Sequence, residues 1–429
     1  MTVPNNRTRG FFIVADLILL GIILILTVLW LVPSVKPGRS LVKAAVRMIV
    51  RIQSAVKKVP AMEIPNAASC GQTAVFSFRQ PVPLSTGDDG FLLAASFPDM
   101  KKTVFASRSG SVVRFDAVRN ASTPLAVKSV PPYAGLAVSA RMMWLCDTAG
   151  TILAIEPTAA AVHPLFTVSS FRTSAGFVPA ELDGERGADF LFVDPFNRIV
   201  AVSGRDGTPL WNFGDAPDSV LHAPVVVPAD GRIPQVVFAA QDGTVIALDG
   251  RNGWALWKNP LQSAVKSAVV AADAFGDSRP ELFVCSSSRK LFCLALDGRT
   301  AWKTDLPSEP EGTVLCADMN RDGAKEIVLS LVDGTVLCLC PTGVTLWTLP
   351  GDVPVIPGGL VSASVSKGRK VLVLADANGF LRLIDAANGN LLGSSELPVP
   401  PVSALTVRGS KVFFAGRDGQ VHEAEILCP

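Results

Sequence analysis

Residues 234–259 read PQVVFAAQDGTVIALDGRNGWALWKN. An apolar run ends at Gln241-Asp242-Gly243, a second run begins at Thr244, and a polar turn through Asp249 and Gly253 leads to Trp257. Two short β-branched runs joined by a Gly/Asp turn read as a β-hairpin, with a further strand carrying the tryptophan. The pattern returns as PELFVCSSSRKLFCLALDGRTAWKT from Pro280, KEIVLSLVDGTVLCLCPTGVTLWTL from Lys325 and KVLVLADANGFLRLIDAANGNLLGS from Lys370. Weaker copies start at Thr103 (TVFASRSGSVVRFDA), Arg141 (RMMWLCDTAGTILAIEP), Ala188 (ADFLFVDPFNRIVAVSGRDGTPLWNF) and Lys411 (KVFFAGRDGQVHEAEI).

The hairpin turn falls at Gly110, Gly150, Asn197, Gly243, Arg289, Gly334, Gly379 and Gly419, at spacings of 40, 47, 46, 46, 45, 45 and 40 residues. Helical solenoids of similar period need long 3.6-residue patterns, and these copies have none. Each copy has the content of one four-stranded blade, and eight copies account for residues 71–429. The expected fold is therefore all-β, an eight-bladed β-propeller. Four positions after the turn stand the small residues Ala201, Ala247, Cys293 and Cys338, followed nine or ten residues later by Trp211, Trp257, Trp302 and Trp347. A small side chain leaves room for a neighbouring indole. These four tryptophans are thus the expected structural residues that dock blade to blade.

The 429 residues are 49% hydrophobic and only 18% charged, which excludes disorder for most of the chain. Charge is unevenly placed. Residues 1–60 carry nine Lys/Arg against one Asp, whereas the remaining 369 carry 30 Lys/Arg against 36 Asp/Glu. An acidic body with a basic, apolar leader points to a membrane and away from nucleic acid. After a tail of residues 1–10, the run from Phe11 to Val32 is broken only by Asp16 and Thr27 among polar types. At ~1.5 Å per helical residue it reaches about 33 Å, enough to cross a bilayer core, and no small-x-small cleavage site follows. A transmembrane anchor is expected there. Residues 33–70 read as a basic amphipathic juxtamembrane segment and linker: Arg39, Lys43, Arg47 and Arg51 recur every four residues, with Val42, Val46, Ile49 and Val50 on another side.

The eight cysteines are too dilute for a disulfide framework and show no metal-ligand spacing. Cys285 and Cys293 flank one hairpin turn, and a bond across it stands beside the reading of both as small buried hydrophobes. The three histidines, His163, His222 and His422, lie in no recognisable spacing to a nucleophile, and no phosphate-cradling glycine loop occurs.

The segment Ala247-Leu-Asp249-Gly-Arg-Asn-Gly253-Trp-Ala-Leu-Trp257 closely resembles the tryptophan-docking motif of the pyrroloquinoline quinone (PQQ)-type propellers, Ala-x-Asp-x-x-Thr-Gly-x-x-x-Trp. Asn252 replaces the usual Thr, and Ala201 to Trp211 matches with Ser203 for Asp. The copies ending at Trp302 and Trp347 are one residue shorter, and blades 1, 2, 7 and 8 lack the tryptophan. The family holds quinone-dependent dehydrogenases and non-enzymatic propellers, including the eight-bladed outer-membrane protein assembly lipoprotein. The dehydrogenases generally carry blade insertions and a vicinal cysteine pair. Compact repeats and the lack of adjacent cysteines make this chain similar to the non-enzymatic class.

A second resemblance lies between blades. Asp318-Met-Asn320-Arg-Asp322-Gly323-Ala-Lys-Glu326 has the look of the calcium loops of FG-GAP/VCBS propellers, so Asp318, Asn320, Asp322 and Glu326 are candidate Ca²⁺ ligands. The alternative is a metal-free Asp/Asn-rich turn. Residues 273–277 and 181–185 look like decayed versions of the loop.

The expectation is a membrane-anchored, non-catalytic scaffold for an envelope protein partner. It has no catalytic residue and no cofactor beyond possible Ca²⁺. The span would make it a single-pass inner-membrane protein with an extracytoplasmic, periplasmic propeller, although five basic residues within about 20 positions after the span argue for the cytoplasmic side. The alternative is a quinone- or calcium-dependent enzyme or sensor on the same fold, which turnover with added quinone would reveal.

Overall fold

The computed structural model describes residues 75–427. It leaves out the connecting segments 79–81, 84–90, 97–101, 108–111, 117–120, 126–132, 139–141, 157–161, 169–176, 185–187, 229–233 and 366–367. Contacts divide the chain into two units, Met1–Ser69 and Cys70–Pro429. The expected span and the basic segment lie outside the described residues. Among the described residues no helix is long and apolar enough to cross a membrane.

Every described element is a β-strand, and the strands form eight antiparallel sheets. Blades 1 to 7 occupy residues 91–125, 133–167, 177–213, 225–260, 270–305, 310–349 and 355–396, each a four-stranded meander from an inner to an outer strand. Neighbouring inner strands touch in cyclic order, and blade 8 meets blade 1, so the ring is closed. Blade 8 takes three strands from residues 406–427 and its outer edge from the other end of the propeller. There, Val75–Phe78 pairs with residues 424–427 and Val82–Pro83 with residues 420–421.

Blade 4 shows why these residues make strands. Its second strand, Gln235–Ala239, and third, Thr244–Asp249, are buried on both faces because each sheet is stacked between two others. Hence they read as nearly continuous apolar runs. The outer strand, Ala255–Pro260, alternates between exposed and half-buried residues. The hairpin turns sit where the repeat spacing puts them. Gly243 turns with φ 100°, and Asn197 and Arg289 take the same left-handed conformation at φ 62° and 57°. Cores form between blades: Phe115 of blade 1 packs on Phe413 of blade 8 with ring centroids 5.5 Å apart.

Candidate functional site: blade staples and loop faces

The four tryptophans of the repeat stand on the outer strands of blades 3 to 6 and reach into the following blade. Their indole Nε1 groups donate to the carbonyl oxygens of Gly250, Leu296, Pro341 and Ala386 at 2.8, 2.8, 2.9 and 3.0 Å, each 39 residues further on. The ring faces lie on Gly253, Gly298, Gly343 and Gly389, where a Cβ would come within 2.5–2.7 Å of the receiving blade's neighbours, chiefly the indole itself. Opposite each tryptophan in its own sheet stands the small residue of the column: Ala201, Ala247, Cys293 or Cys338.

Blade 2 has a fifth contact of the same kind. The ring of Phe166 covers Gly207 at the matching place in blade 3, where a Cβ would lie 2.5 Å from it. A search for tryptophan overlooks this residue. The docking glycine was the available signal, since Gly207 precedes Trp211 as Gly253 precedes Trp257 in the sequence.

In blades 3, 5 and 6 the loops joining inner to second strands share another device. A carboxylate at the start of the second strand accepts the backbone N–H seven residues earlier. Leu182 donates to Asp189 Oδ2 at 2.9 Å, Ala274 to Glu281 Oε2 at 3.0 Å, and Met319 to Glu326 Oε2 at 2.7 Å. In blade 4 both halves are changed together. Gln235 takes the acid's place and Pro228, seven residues earlier, has no N–H; Gln235 Oε1 is buried without a hydrogen bond. Burial pushes Glu281 and Glu326 above the usual carboxylate range, with Asp277 and Asp273, or Asp322 and Asp318, adding to the rise.

The loop expected to hold calcium brings Asp318, Asn320, Asp322 and Glu326 together, but around its own backbone. Asp318 accepts from Arg321 N and Gly323 N, Asn320 from Asp322 N, and Asp322 from Ala324 N, at 2.6–3.2 Å. Asn320 Nδ2 lies between Asp322 Oδ2 at 3.0 Å and Glu326 Oε1 at 2.9 Å. All the side-chain oxygens of the set are therefore engaged, and an amide nitrogen fills the gap between two carboxylates. This arrangement does not fit a calcium ion. Among the described residues no group of three or more His, Cys, Asp or Glu is placed to hold a metal.

The histidines sit apart, in blades 2, 4 and 8. His163 opens the exposed outer strand His163–Thr167. His222 is half-buried ahead of the inner strand of blade 4, and burial lowers its pKa. His422 is buried, stacked on Phe414 and in contact with the Asp418 carboxylate at 3.0 Å. The pairing across the blade 5 hairpin does not form: Cys285 lies opposite Leu291, Cys293 opposite Phe283, and both thiols are free. Burial pushes each up to about 12, which leaves almost no thiolate at neutral pH.

The hairpin tip of blade 3 presents an aromatic to solvent. Phe196 is 73% exposed, yet the turn beneath it is held at several points. The buried Asp194 carboxylate accepts the N–H groups of Phe196 and Arg198 at 2.9 and 2.8 Å and pairs with the Arg198 guanidinium at 2.7 Å. That guanidinium lies 5.3 Å over the Phe196 ring. Asn197 bridges to the next connection, donating to Asp218 O and accepting from Val220 N at 2.7 Å each. Exposed Leu221 follows on the same connection.

The family model described as outer membrane protein assembly factor BamB matches residues 174–328 and 241–424. Among solved structures, BamB from Moraxella catarrhalis is 17% identical with a TM-score of 0.59, covering 82% of this chain and all of that one. The computationally designed Ika8 protein is 16% identical (TM-score 0.61), and Sqt1 from Saccharomyces cerevisiae is 11% identical (TM-score 0.65). Each covers 83% of this chain and aligns over its own full length. A search of curated proteins finds no match. With more than half of the residues matched and the docking contacts repeated from blade to blade, the chain belongs to the PQQ-type propeller family whose model is described as outer membrane protein assembly factor BamB.

Proposed function

We propose that this protein is a membrane-anchored, non-catalytic interaction scaffold of the cell envelope, serving assembly or maintenance. Residues 11–32 hold it in the inner membrane as a single-pass anchor, and the propeller works on the extracytoplasmic side. The observation that carries this reading is the hairpin tip of blade 3. An exposed Phe196 held by the Asp194–Arg198 pair and the Asn197 bridge is a pre-organised aromatic anchor, and such anchors supply much of the energy of protein interfaces. The description of the family as an assembly factor agrees with it. Tethering near the bilayer would raise the effective concentration of this face towards membrane partners.

The test is a photo-crosslinker at position 196 of the full chain in native membranes. It is expected to capture one defined envelope protein, and Arg198→Ala should reduce the yield. The purified chain should oxidise neither alcohols nor sugars when supplied with pyrroloquinoline quinone and Ca²⁺. Turnover in that assay would overturn the scaffold reading in favour of a quinone enzyme.

A further inference from the structure

A propeller has eight outer strands, each with a row of backbone N–H and C=O groups that no neighbour within its own sheet satisfies. Proteins blunt such edges with proline, charge or breaks. Seven of the eight outer strands here are blunted. Ala121–Leu125 contains Pro124, His163–Thr167 contains Pro164, and Pro209–Phe213 begins with proline. Ala255–Pro260 carries Lys258 and ends in proline, Thr300–Asp305 carries Lys303 and Asp305, and Leu391–Glu396 ends in glutamate. The outer edge of blade 8 is split into Val75–Phe78 and Val82–Pro83.

The eighth strand is Thr345–Leu349, TLWTL, in blade 6. It has neither proline nor charge, and it lies in a stretch, residues 336–351, without a single charged side chain. Pro350 limits the offered edge to these five residues. Its side chains are apolar or neutral on both faces. Leu346 is 50% exposed and Val344, just before the strand, is 62% exposed, while Trp347 is turned into blade 7 through its bond to Ala386 O.

We propose that Thr345–Leu349 is a self-pairing edge through which two copies of this chain join antiparallel, extending the sheet of blade 6 across a two-fold axis. An incoming strand must be extended and uncharged on both faces to lie beside Val344 and Leu346 without burying a charge. Among the described outer strands, the one that meets this requirement over its whole length and without proline is the edge itself. Antiparallel pairing about Trp347 sets Leu346 of one copy across from Thr348 of the other, so no like charges oppose each other and the interface is isologous. The same operation on blade 4 or 5 would bring Lys258 or Lys303 of two copies to one seam.

The test is sedimentation of the full chain in detergent over a wide concentration range. The wild type is expected to show a monomer–dimer equilibrium. Leu346→Lys and, separately, Thr348→Lys should weaken it, the first by roughly 100-fold, as the loss of two buried leucines per dimer implies. Both positions are exposed, so the fold should persist, checked by an unchanged thermal midpoint. Leu256→Lys, the same position in blade 4, should leave the equilibrium unaltered. A wild type that stays monomeric overturns the proposal. So does a dimer indifferent to both blade 6 variants, which would place the contact elsewhere, as would equal weakening by Leu256→Lys.

Discussion

Two tryptophans on consecutive repeats allow the staple to be weighed against its own control. Trp211 is 7% exposed, lies among Ala201, Phe213, Val220 and Phe238, covers Gly253, and donates to Gly250 O. Trp254, the residue after that glycine, is 76% exposed. Trp211→Ala removes a buried ring between two blades, which costs about 3–5 kcal/mol in other cores. Within that figure the lost hydrogen bond accounts for about 1 kcal/mol. A propeller of this size unfolds with an entropy of about 0.7 kcal/mol/K, so the midpoint should fall by about 4–7 °C if the ring melts as a unit. Trp254→Ala should stay within about 0.5 kcal/mol of the wild type. Scanning calorimetry with a parallel circular-dichroism melt measures both. Equal midpoints for the Trp211 and Trp254 variants would refute the assignment of the indole as an inter-blade staple.

Four further outcomes are expected. Phe166→Ala should destabilise the propeller by about 3 kcal/mol, near the tryptophan variants, while Leu165→Ala beside it should have little effect in the same melts. Because the loop oxygens of Asp318, Asn320, Asp322 and Glu326 are already engaged, millimolar Ca²⁺ should leave the midpoint unmoved; a calcium-dependent rise lost in Asp318→Ala would restore the metal reading. Glu281 is held above the usual carboxylate range by burial, so its contribution is complete below the unfolded value and is lost as pH rises through the folded one. Urea midpoints should therefore gain less on acidification from neutrality in Glu281→Gln than in the wild type. Protease added to intact spheroplasts should digest the propeller, and full protection would place it in the cytoplasm.

What the sequence could reveal was local. The blades are legible because a hairpin and its turn lie within some twenty residues, and Asn197 and Arg289 could be placed in the turn column although neither is glycine. The four tryptophans were legible through a fixed spacing to a small residue on the neighbouring strand. The fifth staple was hidden because Phe166 keeps the ring and drops the N–H, so only its docking glycine advertises it. The calcium-like spacing is open to two readings in the sequence, because Asp and Asn at alternate positions satisfy backbone donors as readily as they hold a cation. The acid clamp was also within reach, written as a carboxylate seven residues after an apolar residue and cancelled in blade 4 by the joint appearance of Pro228 and Gln235. Closure was not legible, since nothing in four residues such as VFSF says that their partner lies at the far end of the repeat array.

That closure fixes an order of events. The outer strand of blade 8, Val75–Phe78, is the first strand of the propeller to be synthesised, and its partner, Gln420–Leu427, is the last. The earliest strand must therefore wait, with Phe76 unable to reach Ile426 and the rest of its core, until every other blade has been made. Blades 2 to 7, stapled each to the next, can accumulate in sequence during synthesis. The ring itself can close only afterwards, in a single step that joins its two ends. A chaperone that delays the folding of this protein would have most to protect at residues 75–83.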